Sequence, residues 1–279
     1  MKRINVAVIG AGQMGGSLGL ALKSKALKGK YYIIGIGRTE KNLKTALKIN
    51  AIDEMSLSFD SAKNADVVVI CTPVDTIVPI YKKLAKIVRP NAIITDAGSV
   101  KESIEKQINS TSRFSLSTLP FVGAHPMAGK ENNGILSAAA DMFKGAKLIV
   151  TNKKNTKAVK FVENMWKDAG AVIVKMDAKK HDDLIALTSH LPHVIAFSLN
   201  KIYKETQKKN KDIALLTGSS FKGMTRVAVS SADMWAPIFA MNSQKVAKHL
   251  DAFIKELNAF KKVLKNQNKV KKEILKTQK

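Results

Sequence analysis

The chain has 279 residues, enough for one large domain or two ordinary ones, and a composition 45% hydrophobic and 25% charged excludes a disordered protein. No apolar run approaches the roughly 20 residues needed to cross a bilayer, and Ile4–Ile9 is too short for the apolar part of a secretory signal before Gly10 interrupts it. The net charge of +25 raises nucleic acid as a partner, but 42 of the 47 basic residues are Lys and they are spread over both halves, which argues against a site of the Arg-rich kind that reads phosphates and bases.

From residue 1 to about 176, short β-branched runs alternate with helical stretches. The first run, Ile4–Ile9, leads into Gly10-Ala11-Gly12-Gln13-Met14-Gly15, and an amphipathic segment, Ser17–Leu27, follows. A GxGxxG hexamer alone is weak evidence. Between a strand and a helix it reads as a dinucleotide site. Gly10 makes the tight turn, Gly12 lets the backbone approach a pyrophosphate, and Gly15 lets the helix pack closely on the strand. Gln13 and Met14 complete a cofactor-binding loop at the helix N-terminus.

The second strand, Tyr31–Ile36, is expected to end beside the adenosine ribose, where an NAD site usually carries an acid. Gly37-Arg38-Thr39 stands there instead, and the nearest acid is Glu40. Arg38 with the Thr39 hydroxyl suits a 2′-phosphate, which tilts the expectation toward NADP over NAD. A surface Arg in an NAD enzyme is the plainer alternative. Helical spacing returns at Lys41–Leu47. The apolar run Val67–Cys71 then ends at Thr72-Pro73, both expected to line the cofactor, although a structural turn accounts equally well for Pro73. Cys71 is the only cysteine, which excludes an internal disulfide and agrees with a reducing, cytoplasmic setting.

A helical segment, Ile77–Val88, and the strand candidates Ala92–Thr95, Phe121–Ala124, Lys147–Val150 and Ala171–Lys175 complete this half. After Asp177 the β-rich runs stop. Stretches 178–207, 211–230 and 243–276 have helical spacing, as in Val246, Leu250, Phe253, Leu257, Phe260 and Leu264. The run Lys261–Lys279, with eight Lys against one Glu, reads as a solvated helical tail. The expected architecture is α/β: a Rossmann-type, mostly parallel sheet domain over 1–176, followed by an all-α domain over 177–279.

Three further segments bear on the chemistry. Thr95-Asp96-Ala97-Gly98-Ser99-Val100-Lys101 follows the fourth strand of this reading, Gly123-Ala124-His125-Pro126-Met127-Ala128-Gly129 follows the fifth, and Ser189-His190-Leu191-Pro192-His193 opens the helical half. With the glycine loop, and with Gly218 to Trp235 further on, their order closely resembles the prephenate and arogenate dehydrogenase family of tyrosine biosynthesis. The resemblance covers nearly the whole chain, and its two histidine segments are far more specific than any GxGxxG.

The resemblance implies an oxidative decarboxylation, with hydride passing from C4 of the cyclohexadienyl ring to NAD(P) as the ring carboxylate departs. By similarity, neutral His125 accepts a hydrogen bond from the ring hydroxyl and Ser99 helps to position it. Ser189 and His193 would line the substrate. Arg226, the only Arg of the helical half, would clamp a substrate carboxylate. Trp235 suits packing and substrate contact equally. The resemblance also implies a homodimer formed through the helical domain, with the active site in the cleft between the domains.

His190 reads as structural, and His181 and His249, among polar neighbours, read as surface residues. A metal held by His190 and His193 is rejected, since no third ligand sits at suitable spacing. Two departures from the family pattern stand out. Lys130 precedes Glu131 where many relatives have Ser or Thr, and Gly223 replaces an Asp three before the Arg. Losing that acid removes a partner that would hold Arg226 in place without substrate, which puts local gating in doubt, but not the reaction class. A fused regulatory or mutase domain is not expected.

Prephenate and arogenate differ only in a keto or amino group on the side chain, and no residue here discriminates them. A β-hydroxyacid dehydrogenase or imine reductase shares the domain plan but would use a Lys on the first long interdomain helix, which the SHLPH segment does not supply. An NADP-sensing or nucleic-acid-binding module would have a dispensable His125 and salt-sensitive binding.

Overall fold

The β-branched runs pair as the buried strands of a parallel sheet, whose side chains meet no water on either face. In the computed structural model, which describes residues 3–112, 119–129, 134–151 and 156–278, Val6, Ala7, Val8 and every residue of Val67–Ile70 are 0% exposed. The first half runs β1 (Ile4–Ile9), α1 (Gln13–Leu22), β2 (Tyr31–Ile36), α2 (Glu40–Lys48), β3 (Glu54–Ser56), β4 (Val67–Ile70), α3 (Val74–Leu84), β5 (Ile93–Asp96), α4 (Glu102–Ser112) and β6 (Phe121–Val122). These strands form one sheet in the order β3-β2-β1-β4-β5-β6, parallel throughout. The order reverses at β1, so a crevice opens beyond the C-terminal ends of β1 and β4, where ligands of such sheets bind.

A smaller sheet holds β7 (Ala124–Pro126), β8 (Lys147–Val150) and β9 (Val172–Lys175), in that order, with α5 (Lys157–Asp168) between the last two in sequence. β7 runs antiparallel to β8, and β9 parallel to it. The run Phe121–Ala124 was expected as one strand. It breaks at Gly123, where a Cβ would stand 2.4 Å from both Glu105 Oε1 and Thr151 Oγ1, so β6 joins the large sheet and β7 the small one. Phe143 and the fully buried Trp166 meet edge-on at 5.0 Å in the core. Each large apolar side chain buried in this way contributes roughly 1.5–3 kcal/mol.

The rest of the described chain is helical: α6 (Ala178–Ile185), α7 (Leu191–Lys209), α8 (Ser219–Thr225), α9 (Ala232–Met241), α10 (Ser243–Val263) and α11 (Gln267–Thr277). A wide π turn, Ala186–His190, joins α6 to α7. It precedes Pro192, which has no N–H to donate and whose ring would clash with the carbonyl four residues back in a regular helix.

The chain divides into two compact units, Met1–Asp182 with Val229–Met241, and Asp183–Ala228 with Asn242–Lys279. α9 thus belongs to the sheet unit, where it packs on α3 and buries Trp235 and Ile238. In the second unit α7 packs against α8 through Tyr203 and Phe221, whose rings lie 4.7 Å apart. The stripe on α10 is buried at Val246 and ends exposed at Leu257 and Phe260, with Leu264, also exposed, just past the helix.

Candidate active site

The glycine loop opens into a cavity of about 750 Å³ at the crevice. Gly10 has φ +93°, a left-handed conformation that favours glycine, and a Cβ there would press on the Cys71 carbonyl at 2.8 Å. At Gly15 a Cβ would lie 2.3 Å from Gly10 O and 2.6 Å from Val8 Cγ1, so α1 sits directly on β1. Gly12 differs: among the described residues nothing lies within 4 Å of its would-be Cβ, and Gly12 lines the cavity. α1 carries no acid in its first turn and no side-chain cap, and the positive end of its dipole favours an anion there. The residues therefore fit a dinucleotide pyrophosphate.

Of the residues expected at the cofactor, Gly10, Gly12, Arg38, Thr39, Thr72 and Pro73 line this cavity. Met14 packs against the core instead, and Gln13 Oε1 lies near Gly129. Asn42 and Lys83 join Arg38 on the wall. Glu40 is absent from that lining and pairs with Lys44 at 2.9 Å. Cys71 also lines the cavity, its thiol pushed up to about 12 by burial and by the charge of Asp96.

His125, on β7, is 8% exposed. Ala124, just before it, donates its N–H to Asp96 Oδ1 at 3.1 Å and accepts from Lys101 Nζ at 2.9 Å. Lys101 is wholly buried and ion-paired with Asp96, and Asp96 Oδ2 also accepts from Gly98 N at 3.0 Å. The loop that carries Ser99, which is half-buried, is thereby tied at both ends to the residue beside His125.

On its other side His125 meets a residue that the sequence reading put at the surface. His181 is 2% exposed, and its Nε2 lies 2.9 Å from His125 Nδ1. Its Nδ1 lies 2.7 Å from Asp182 Oδ1. Asp182 accepts from Lys101 N and Glu102 N, both at 2.9 Å, where α4 begins. His249 is also largely covered, its Nε2 3.4 Å from Asp183 Oδ1. The error has a visible cause. Lys179 and Lys180 are exposed, whereas Ala178, His181, Asp182, Ile185 and Ala186 form the buried stripe of a helix at spacings of three and four, and two of its members are polar.

In the second unit, His193 Nδ1 lies 2.9 Å from the Ser189 carbonyl, which only accepts, so Nδ1 carries the proton. Burial holds the His193 pKa below its usual value, against the pull of that hydrogen bond, and keeps the ring neutral at neutral pH. His190 is fully buried and accepts from Asn242 Nδ2 at 3.3 Å, a structural role. Arg226 is exposed at the start of a short 3₁₀ turn, Arg226–Val229.

The model of the prephenate dehydrogenase nucleotide-binding domain matches residues 18–175, and that of the prephenate dehydrogenase dimerization domain matches 177–277. The chain belongs to the prephenate dehydrogenase family. Prephenate dehydrogenase of Bacillus subtilis is 32% identical over 94% of this chain and 71% of its own length. Cyclohexadienyl dehydrogenase of Zymomonas mobilis is 31% identical over 95% of this chain and 89% of its own. The crystal structure of prephenate dehydrogenase from A. aeolicus, in complex with hydroxyphenyl propionate and NAD+, superposes with a TM-score of 0.90. It is 31% identical and covers 100% of this chain and 97% of that one.

Within the prephenate dehydrogenase family pattern, Gly223 falls on α8, exposed, with nothing within 4 Å of a would-be Cβ. Lys130 and Glu131 lie outside the described residues. Among the described residues no helix is long and apolar enough to cross a membrane, and no group of three His, Cys, Asp or Glu could hold a metal ion.

Proposed function

We propose that this chain catalyses the oxidative decarboxylation of prephenate to 4-hydroxyphenylpyruvate. The observation that carries the reading is a buried histidine of the HPMAG segment, His125, held within the same unit as a glycine-loop cavity fit for a dinucleotide. The bound nicotinamide supplies the hydride acceptor. As the C4–H bond breaks, the C1–carboxylate bond breaks too, and its electron pair completes the aromatic ring while CO2 leaves. His125 accepts the hydrogen bond of the C4 hydroxyl and stabilises the positive charge that builds at that carbon. Ser99 orients the same hydroxyl. Arg226 clamps a substrate carboxylate, and Ser189 and His193 line the substrate.

The wall formed by Arg38, Thr39 and Asn42, with no acid at the end of β2, supports NADP as the preferred cofactor. The exposed Ile202, Leu215, Leu216, Leu257 and Leu264 of the helical unit support a homodimer formed there. A cytoplasmic location agrees with the single cysteine, Cys71.

The deciding assay follows reduction of NAD and NADP with prephenate, arogenate and a 3-hydroxy acid. Turnover with prephenate is expected. Turnover with arogenate alone would move the assignment to that substrate, and turnover with neither would refute the reaction class. His125→Asn is expected to lower kcat by roughly 10²–10⁴ with little change in substrate affinity. Full activity in that variant would refute the role given to His125.

A further inference from the structure

His181 and Asp182 have no part in the reaction as written, although both are almost completely buried and joined to His125. We propose that they are positioning residues which fix the tautomer of His125, so that its Nε2 carries the lone pair. The argument starts at α4. The N–H groups of Lys101 and Glu102 both point at the Asp182 carboxylate, and a helix N-terminus favours the ionised form. An ionised carboxylate only accepts, so the His181 Nδ1 at 2.7 Å must donate. A neutral imidazole with its proton on Nδ1 has a bare Nε2, which can only accept. The His125 Nδ1 at 2.9 Å must therefore donate as well. The chain of donors leaves the His125 lone pair on Nε2, the form needed to accept from a hydroxyl.

The relay also has an off state. If His181 takes a proton on Nε2, that atom becomes a donor, and His125 must accept at Nδ1 and carry its proton on Nε2. A ring in that form cannot accept from a substrate. Among the described residues, the charged groups near the pair include Asp182, the Lys101–Asp96 ion pair and Glu105, whose carboxyl is raised by burial and by the charges of Asp96 and Asp182.

This inference rests on the proposed role of His125, so its test separates the two. Nitrogen-15 NMR of the histidine-labelled wild-type protein, with His125 assigned by its loss in His125→Asn, reads the tautomer without any turnover. A pyrrole-like Nδ1 and a pyridine-like Nε2 on neutral His125 are expected, and the reverse would overturn the relay. In kinetics, His181→Phe is expected to lower kcat roughly 10- to 100-fold, the range typical for removal of such an outer partner, with KM within about twofold. His181→Gln, whose amide oxygen can accept from His125 Nδ1, is expected to recover part of that loss and to shift the acid limb of the pH profile. Unchanged kcat in His181→Phe, or a Gln variant no better than the Phe variant, would overturn the proposal. Dinucleotide affinity reports whether each variant is folded, and for one that is not, the wild-type tautomer decides. A wild-type protein inactive on both cyclohexadienyl substrates would refute the proposed function and leave the tautomer reading intact.

Discussion

Gly12 and Gly15 sit three residues apart at the start of α1, yet alanine should harm the protein in opposite ways at the two positions. At Gly15 the new methyl would stand 2.3 Å from Gly10 O, where real contacts stay above 3.0 Å, so the start of α1 must retreat by at least ~0.7 Å. Overpacking of this kind costs about 1–3 kcal/mol, and each kcal/mol lowers Tm by roughly 2–4 °C in a domain of this size. At Gly12 nothing lies within 4 Å, and φ is −88°, a value that any residue adopts. Gly12→Ala should therefore leave Tm unchanged or slightly raised, because alanine narrows the unfolded ensemble. Its methyl does enter the cavity, where the backbone has to meet the pyrophosphate. A loss of tenfold or more in dinucleotide affinity is expected, equivalent to about 1.4 kcal/mol. Thermal melts and calorimetric titration with NAD+ and NADP+, run on both variants, read the two quantities separately. A Gly12→Ala protein that binds both cofactors as the wild type does would refute the assignment of this cavity.

Arg38→Ala should weaken NADP+ binding by roughly 10- to 100-fold, the value of one or two bonds to a charged group, and leave NAD+ nearly unchanged; equal losses for both would reject the 2′-phosphate role. Lys101→Met strips the partner from Asp96, which is 0% exposed, and should cost about 3–5 kcal/mol in urea unfolding. A loss below about 1 kcal/mol would mean that the pair is dispensable. Burial raises the Glu105 carboxyl pKa, against the Thr151 hydrogen bond and the Lys101 charge that lower it, so the folded state holds this proton more tightly than the unfolded one. Its contribution is therefore complete below the ordinary carboxyl pKa of roughly 4.3 and is lost as pH rises through the folded value. The Tm of Glu105→Gln minus that of wild type should accordingly grow from about pH 4 to pH 8, and a difference independent of pH would contradict this.

Features that depend on neighbours in sequence could be read from sequence. The strands of the parallel sheet are apolar on both faces and show as continuous β-branched runs, and the glycine loop announces itself by its place between β1 and α1. Features that depend on neighbours in space could not. β3 is three residues long, mostly polar and paired only to β2, so it leaves no apolar period. The division at Gly123 follows from Glu105 and Thr151, which lie 18 and 28 residues away in the chain. His181 was misjudged because its neighbours in sequence are charged, whereas its helix face carries the burial pattern. Lys101 closes the Thr95–Lys101 segment without any local sign of burial, and a buried lysine can be recognised only once Asp96 and the Ala124 carbonyl surround it.

The single cysteine has a practical consequence. With its thiol pushed up by burial and by the charge of Asp96, Cys71 is held in the unreactive thiol form at neutral pH. Cys71 is thus expected to react slowly with maleimides and other thiol reagents. A cysteine placed at an exposed position such as Leu136 would be the sole fast-reacting thiol, and a fluorophore or spin label could be attached there at one defined point.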